Sequence, residues 1–486
     1  RPGLEGTTHL WEDSFHELGA DEKKSQAREL PEPVWAKCPA LNKRSTQTMP
    51  YFRHRTHLPF SPDQVFDWHL RPGAFERLSP PWAQVRVVER EGGIDSGGRV
   101  LLGIKQGPAE IKWEVRHTDF EAGQLFRDEQ VSGPFEKWVH SHRFLEADDG
   151  GCFMEDEIEW AAPFGSAGRL FAEGFIEKEL ERLFIFRHRR LENDLTLHGR
   201  YSGKRLKVLL TGASGLIGSA LRDFLRSGGH QVHSLRRGTA GGTPEGGSGS
   251  GEGPTYIWDP ARGHLDPEAL QGMDAVVHLA GESLAALRWS EEKKEKILQS
   301  RREGTSLISK TLAGMASPPA VFVSASAVGY YGSRGNDLVT EETGPGKGFL
   351  AMVCREWEGA TAAARKKGIR VVNLRTGFVI SPLGSGLGRM LPPFKAGLGG
   401  RIGSGRQYMS WIDLDDEVGL IHHALTRPGV SGPLNGTAPN PVPNATFTDT
   451  LGRILGRPTL LPLPSVAVKG MLGEMGTELL LKGARV

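Results

Sequence analysis

The sequence predicts two domains in series: an α+β domain made of an antiparallel sheet and one long helix, then an α/β domain built on a doubly wound parallel sheet. Three observations carry that prediction. A chain of 486 residues exceeds the roughly 250–300 residues at which single hydrophobic cores stop growing. Residues 51–195 run through a series of strand-like segments before one long helical pattern. From Leu206 onward, short apolar strands alternate with helical patterns, as βαβ units do.

Composition narrows the class further. Hydrophobic content of 38% and charged content of 24% belong to an ordinary globular chain. Sixty Lys and Arg against 58 Asp and Glu leave a net +2, so no global field recruits nucleic acid or anionic membrane. No run approaches the ~20 apolar residues of a bilayer span, and none reads as a signal peptide. The three cysteines, Cys38, Cys152 and Cys354, are widely spaced. That spacing excludes a disulfide framework and a CxxC metal site, and the expected setting is reducing and cytoplasmic. No metal ligands are assigned.

In chain order, residues 1–48 are polar, charged and proline-rich without a sustained period. They are expected to be disordered or foreign to the domains. The chain starts at Arg1 and ends just past an apolar helical pattern at Glu478–Lys482. Ragged ends are expected, with Met49 the candidate start. Tyr51–Leu58 alternates like a strand, and Ser61-Pro62-Asp63 opens a short helix carrying Val65, Phe66 and Trp68. Strands follow at Val85–Glu89, Arg99–Ile104, Ile111–Phe120, Leu125–Gln130, Trp138–Glu146 and Cys152–Trp160. After the break at Pro163-Phe164-Gly165, Leu170–Leu195 reads as one amphipathic helix. This is the element order of a helix-grip fold. Trp113, Phe126, Trp138, Phe144 and Trp160 are expected as its core.

Thr196–Arg205 reads as a polar linker. Leu206–Leu210 is a buried strand, followed by Thr211-Gly-Ala-Ser-Gly-Leu-Ile-Gly218 and a helix to about Arg226. Strand, tight turn and helix give this GxxGxxG its meaning. Gly212 permits the turn, Gly215 admits a pyrophosphate to the backbone, and Gly218 lets helix and strand pack. The free N–H groups of Ala213, Ser214, Leu216 and Ile217 and the helix dipole would face the phosphates. The second strand, Gln231–Leu235, ends in Arg236-Arg237, where an acid would select NAD and arginine accommodates a 2′-phosphate. The expected cofactor is therefore NADP. Gly238–Pro254 is a Gly/Ser/Thr/Pro tract that reads as a surface insertion. Leu279, Ala280 and Gly281 end the strand Asp274–His278 and would lie against the cofactor. His278 itself reads as a satisfied core histidine. Asp413, Asp415 and Asp416 read as a cap and solvated first turn of the helix that follows.

The motifs His278-Leu-Ala-Gly-Glu282, Ser300-Arg301, Ser324-Ala-Ser-Ala-Val-Gly-Tyr-Tyr-Gly332, Leu374-Arg-Thr-Gly377, Met390–Phe394 and Met409–Ile412 resemble the extended short-chain dehydrogenase/reductase superfamily. The closer resemblance is to its atypical, cell-division-inhibitor-like epimerase branch bearing a DUF1731 segment. Residues 51–195 resemble the START-related (SRPBCC) superfamily of polyketide cyclases, which implies an apolar ligand cavity between helix and sheet. The resemblance implies that Arg301, Gly377 and Val379 also line the cofactor. It also exposes a departure. The usual Tyr-xxx-Lys acid/base pair falls on Leu350 and Cys354, and Arg301 stands where Asn is usual. Ser326 keeps the serine position, Tyr330 and Tyr331 follow it closely, and Cys354 is either a reactive thiol or plain packing.

The expected organisation is an extension over 1–48, a helix-grip domain over 51–195, a linker over 196–205, a Rossmann core over 206–380 and a substrate lobe over 381–486. The candidate catalytic residues are Ser326, Tyr330 and Cys354. Two functions remain open: an NADP-dependent oxidoreductase or epimerase acting on a small molecule, or a non-catalytic NADP-binding module coupled to a hydrophobic-ligand domain.

Overall fold

The computed structural model describes residues 50–486 apart from 95–96, 108, 164, 202 and 239–252. The expectations for residues 1–48, and for most of the tract after Gly238, fall outside the described residues.

The first domain opens with β1 (Tyr51–Leu58), α1 (Pro62–Leu70) and α2 (Ala74–Leu78). Ser61 starts α1 through a capping box with Gln64, which satisfies two otherwise orphaned backbone donors. Six strands follow: β2 (Val85–Glu91), β3 (Arg99–Gln106), β4 (Ala109–Glu121), β5 (Leu125–Ser132), β6 (Lys137–Glu146) and β7 (Cys152–Ala161). They form one sheet in the order β1-β7-β6-β5-β4-β3-β2, antiparallel throughout. The expected strands are all present and extend by a residue or two. The helix α3 (Gly165–Arg200) packs on this sheet, burying Phe184 against Phe52, Trp138, Ile158 and Trp160. Leu191 packs with Leu58, Phe66, Phe126 and Phe144. This is the helix-grip arrangement. Trp138, Phe126, Phe144 and Trp160 are buried as expected, and Trp113 packs partly buried beside them.

Helix α3 corrects the expected linker, because residues 196–200 are its last turn rather than loose chain. Their partners come from far along the sequence. His198 stacks on Phe224 at 4.1 Å, and Leu197 packs against the second domain's core.

That domain begins with β8 (Lys207–Thr211), α4 (Leu216–Ser227), β9 (Gln231–Arg237), β10 (Thr255–Asp259), β11 (His264–Leu265) and β12 (Ala275–His278). It continues with α5 (Glu291–Gly314), β13 (Val321–Ala327), α6 (Phe349–Gly359), α7 (Ala362–Lys366) and β14 (Arg370–Thr376). The remainder is β15 (Phe378–Ile380), α8 (Leu387–Lys395), β16 (Tyr408–Met409), β17 (Trp411–Asp413), α9 (Leu414–Thr426), β18 (Gly432–Gly436), β19 (Val442–Pro443), α10 (Asn444–Leu455) and α11 (Ser465–Gly476). The large sheet runs β11-β10-β9-β8-β12-β13-β14-β18. Every pair except β10–β11 is parallel. Alternate strand residues face opposite sides. Val208, Leu210, Val277 and Val323 meet α4 and α9 on one face, while Leu209, Val276 and Phe322 meet α5 and α7 on the other. Strand order reverses between β8 and β12, which opens a crevice at their carboxyl ends.

A buried ion cluster ties the domains together. Arg77 donates to both carboxylate oxygens of Asp194 at 2.7 and 2.6 Å and to Asp415 at 3.1 Å. Arg190 pairs with Asp415 as well. Asp413 does cap α9, accepting from the Asp415 N–H at 2.9 Å. Asp415 itself joins this cluster while keeping part of its carboxylate exposed.

Candidate functional site

The glycine turn sits at the crevice, between the ends of β8 and β12. Gly212 has φ of +72°, and a Cβ there would lie 2.9 Å from Ala280 N and the Leu279 carbonyl carbon. Only glycine satisfies both the dihedral and the contact. The Gly215 N–H closes the turn on the Gly212 carbonyl at 2.9 Å, and Gly215 serves as N-cap of α4. A Cβ on Gly218 would overlap the Gly212 carbonyl oxygen and sit 2.8 Å from its carbon, so helix and turn touch backbone to backbone. Leu216 and Ile217 form the first helical turn, whose N–H groups lack intrahelical acceptors and point along a positive dipole end. Ala213 is buried in the turn and Ser214 exposed at its tip. Leu235 pairs in register with Thr211. Arg236, half-buried, and Arg237, exposed, therefore lie just beyond the glycine turn on the same sheet edge.

Backbone hydrogen bonds hold the next strand against this turn. The Thr211 hydroxyl accepts from Ala280 N–H at 3.2 Å and lies 2.7 Å from His278 Nδ1. Burial and the nearby Arg301 charge push the His278 imidazole down to about 3. The expectation of a satisfied core histidine holds for one nitrogen only, since Nε2 is buried without a partner. A Cβ on Gly281 would lie 3.3 Å from the Arg301 guanidinium carbon. That guanidinium donates to the carbonyls of Glu282 and Ile297 at 3.0 and 3.1 Å. It also lies over the Trp357 ring. Burial lowers its pKa. Gly377 is packed so that a Cβ would overlap the Ser410 carbonyl, and Val379 pairs with Ile412 across β15 and β17. A Cβ on Gly384, past β15, would meet Leu216 Cδ2 at 2.8 Å, so this loop reaches the glycine turn.

The three candidate catalytic residues lie close together on a network the sequence reading missed. Ser326, near the end of β13, donates to Glu358 Oε1 at 2.7 Å. Arg375 clamps the same carboxylate through Nε and Nη2, both at 2.9 Å. Its Nη1 donates to the Tyr331 hydroxyl at 2.9 Å, and Tyr331 donates on to Asn435 Oδ1 at 2.7 Å. The Arg375 guanidinium also sits 3.6 Å from the centre of the Tyr330 ring. Burial raises the Tyr331 phenol. Cys354 lies one helical turn before Glu358. Burial, then the Glu358 charge, push its thiol up to about 12, so it is protonated and a poor nucleophile at neutral pH. Ser326 Oγ keeps acceptor capacity, but its proton is committed to Glu358. Arg375 was already in view in the segment Leu374–Gly377. The missed signal was an arginine at a buried position of a strand, beside Leu374 and two residues from Asn373. A second unforeseen group, Glu417, is fully buried. It accepts from the Thr376 hydroxyl at 2.6 Å and leaves Oε2 unpartnered, and burial pushes it up to about 7.

Comparison with known proteins gives matches in both halves. Residues 208–435 match the NAD dependent epimerase/dehydratase family, and residues 58–188 match the polyketide cyclase / dehydrase and lipid transport family. Epimerase family protein Mb2239 of Mycobacterium bovis is 46% identical over 278 residues, covering 57% of this chain and 88% of that protein. Among solved structures, a nucleoside-diphosphate sugar epimerase from Corynebacterium glutamicum superposes with a TM-score of 0.68 at 32% identity, covering 89% of this chain and 91% of that one. Human epimerase family protein SDR39U1, solved with NADPH, gives a TM-score of 0.51 at 34% identity over 58% of this chain and 90% of that one.

Proposed function

Since the chain belongs to the epimerase family of short-chain dehydrogenases/reductases, we propose that it binds NADP on the glycine turn and acts as an oxidoreductase or epimerase on a small organic substrate. The single observation that carries this reading is the Gly212–Gly218 turn, packed backbone against backbone beneath the Ala280-Gly281 strand end, with Arg236 and Arg237 at the neighbouring strand's end. Pyrophosphate would take the N–H groups of α4, and the arginines would take the 2′-phosphate. The human relative solved with NADPH supports the phosphorylated form of the cofactor. Bound there, the nicotinamide would supply or accept hydride near Ser326 and Tyr330.

The chain's own residues then divide the remaining work. The Arg375–Glu358 pair holds the Ser326 hydroxyl with its lone pairs outward, able to accept a hydrogen bond from a substrate hydroxyl. Tyr330, whose ring rests on the Arg375 guanidinium, is the phenol we assign as proton donor, because the neighbouring Tyr331 hydroxyl is already engaged by Arg375 and Asn435. Residues 381–486 would cover the substrate, and the helix-grip domain would bind an apolar ligand.

A specific observation favours a second reading, an NADP-binding module without turnover. The Ser326 proton is committed to Glu358, and Cys354 is a buried neutral thiol in the place of the usual lysine. One experiment separates the two. NADPH oxidation is followed spectroscopically against a panel of carbonyl compounds and nucleotide sugars, with calorimetry of NADPH binding in parallel. Turnover that Tyr330→Phe abolishes while NADPH affinity is kept supports the enzyme. Tight NADPH binding with no turnover across the panel supports the module. No NADPH binding sinks both.

A further inference from the structure

The helix-facing side of the first sheet is apolar along most of its length, but a band of ionisable side chains crosses its middle. Residues two apart on a strand share a face. The alternation that buries Trp138 and Phe144 therefore also turns His140 and His142 inward on β6. Register sets Asp128 of β5 opposite His140 and Asp156 of β7 opposite His142. His188 of α3 closes the band from above.

The donor atoms converge. Asp128 Oδ2 lies 3.3 Å from His140 Nδ1 and 3.7 Å from His142 Nε2. Asp156 Oδ1 lies 2.9 Å from His140 Nε2 and 2.6 Å from His142 Nδ1. The other Asp156 oxygen meets His188 Nε2 at 2.5 Å, and His188 Nδ1 reaches the Thr56 hydroxyl at 2.7 Å. One ligand atom from each of Asp128, His140 and His142 falls within 4.8 Å of the others.

We propose that Asp128, His140 and His142 hold a divalent transition-metal ion. One carboxylate and two imidazoles form the donor set that takes Zn(II) or Fe(II) and leaves further positions open for water or a ligand. Asp156 hydrogen-bonds the remaining nitrogen of His140 and lies beside that of His142, the side from which an outer-shell carboxylate fixes ring orientation at metal centres. The polar groups are also incompletely satisfied by one another. His142 Nδ1, although close to Asp156, has no partner in hydrogen-bonding geometry. His69, its ring 6.3 Å from that of His142, uses Nδ1 on the Val65 carbonyl at 2.8 Å and leaves a buried Nε2 unpartnered. A second convergent set, His198, His230 and His422, is less suited to a cation. No carboxylate is among its members, and the charges of Arg71 and Arg77 act on it. The competing account of the first band is an ion network, in which protons on the histidines offset the two aspartates and no metal enters.

Stripping the full chain with a chelator, re-equilibrating it with Zn(II) and removing excess tests this by elemental analysis. Titration with Co(II) then reads the ligand field. One equivalent of zinc is expected per chain, lost in His142→Gln and in Asp128→Asn, with affinity weakened about 10- to 100-fold in Asp156→Asn. Should His142→Gln not fold, Asp128→Asn carries the test, because the amide is nearly isosteric with the carboxylate it replaces. A chain that takes up no zinc overturns the proposal in favour of the ion network. Zinc retained undiminished by Asp128→Asn overturns it too, placing the ion elsewhere.

Discussion

Replacing Gly215 by valine separates cofactor binding from folding. Gly215 has φ of −78° and ψ of 170°, ordinary for any L-residue. A Cβ there meets only the Gly212 carbonyl oxygen, at 3.3 Å, a contact relieved by a few tenths of an ångström. The cost to the apo fold is about 1 kcal/mol or less, the scale of a change at an N-cap. The cost to binding is larger, because the side chain would stand where the proposed site sets the pyrophosphate against the first turn of α4. Losing two charge-assisted hydrogen bonds at about 1.5–3 kcal/mol each lowers NADPH affinity by roughly 10²- to 10⁴-fold. Gly218→Ala is the contrasting case. Its Cβ overlaps the Gly212 carbonyl, so α4 must shift, together with the buried Leu221, Phe224 and Leu225. Overpacking of this kind costs about 1–3 kcal/mol or more. Calorimetric titration with NADPH and thermal unfolding of both variants give the readout. Gly215→Val should melt almost normally and not bind, whereas Gly218→Ala should melt early. If Gly215→Val binds NADPH as tightly as the parent chain, the phosphate does not sit on this turn.

Arg236→Ala and Arg237→Ala should each weaken NADPH binding by about 10- to 100-fold and leave NADH unchanged. Equal losses for both cofactors would show that neither arginine reads the 2′-phosphate. Cys354→Ala should leave any turnover nearly intact and lower stability by about 1–2 kcal/mol through the small cavity it leaves. An inactive variant that still melts normally and binds NADPH would contradict that. Glu417 sets a pH dependence. Burial pushes its carboxyl up to about 7, above the roughly 4.3 of an unfolded chain. Between those values the folded protein keeps a proton that the unfolded chain has released, so stability falls as pH rises through the window and then levels. Glu417→Gln should remove that slope, a gain on the order of 3 kcal/mol relative to the parent above pH ~7. Parallel pH profiles for the two proteins would refute it.

Legibility in the sequence followed the range of the interactions. The glycine turn was readable because strand, turn and helix are consecutive, and the strands at Val85, Arg99, Leu125 and Cys152 were readable because alternation is local. Residues 196–200 were misread because their polarity is local while their partners, Phe224 and the α9 face, are not. The Glu358–Arg375 clamp was out of reach for the same reason. An isolated arginine in a strand acquires a meaning only once β14 lies beside β13 and α6 lies over both. The histidine band was a different failure, since the period that marks Trp138 and Phe144 as inward marks His140 and His142 too. A reading confined to apolar residues passes over the polar members of the same face.

The two domains are more closely bound than their separate family matches imply. A Cβ on Gly73 would overlap the Asp223 carbonyl in α4, and Arg71 donates to the Ser227 carbonyl at that helix's end at 3.1 Å. Arg77 bridges Asp194 on α3 and Asp415 on α9 with its guanidinium fully buried. Separating the domains would take Asp415 from Arg77 and Arg190, while the Arg77–Asp194 pair would stay within the first domain. The helix whose N-terminus carries the glycine turn is therefore the helix whose other end holds the helix-grip domain. Strain placed at Gly218 acts on the packed backbone of α4 that leads to the first domain, while a change at Gly215 asks for a shift of only a few tenths of an ångström in the glycine turn. On this reasoning α4 is the element the two domains share, with the dinucleotide crevice at its N-terminus and the first domain packed at its other end.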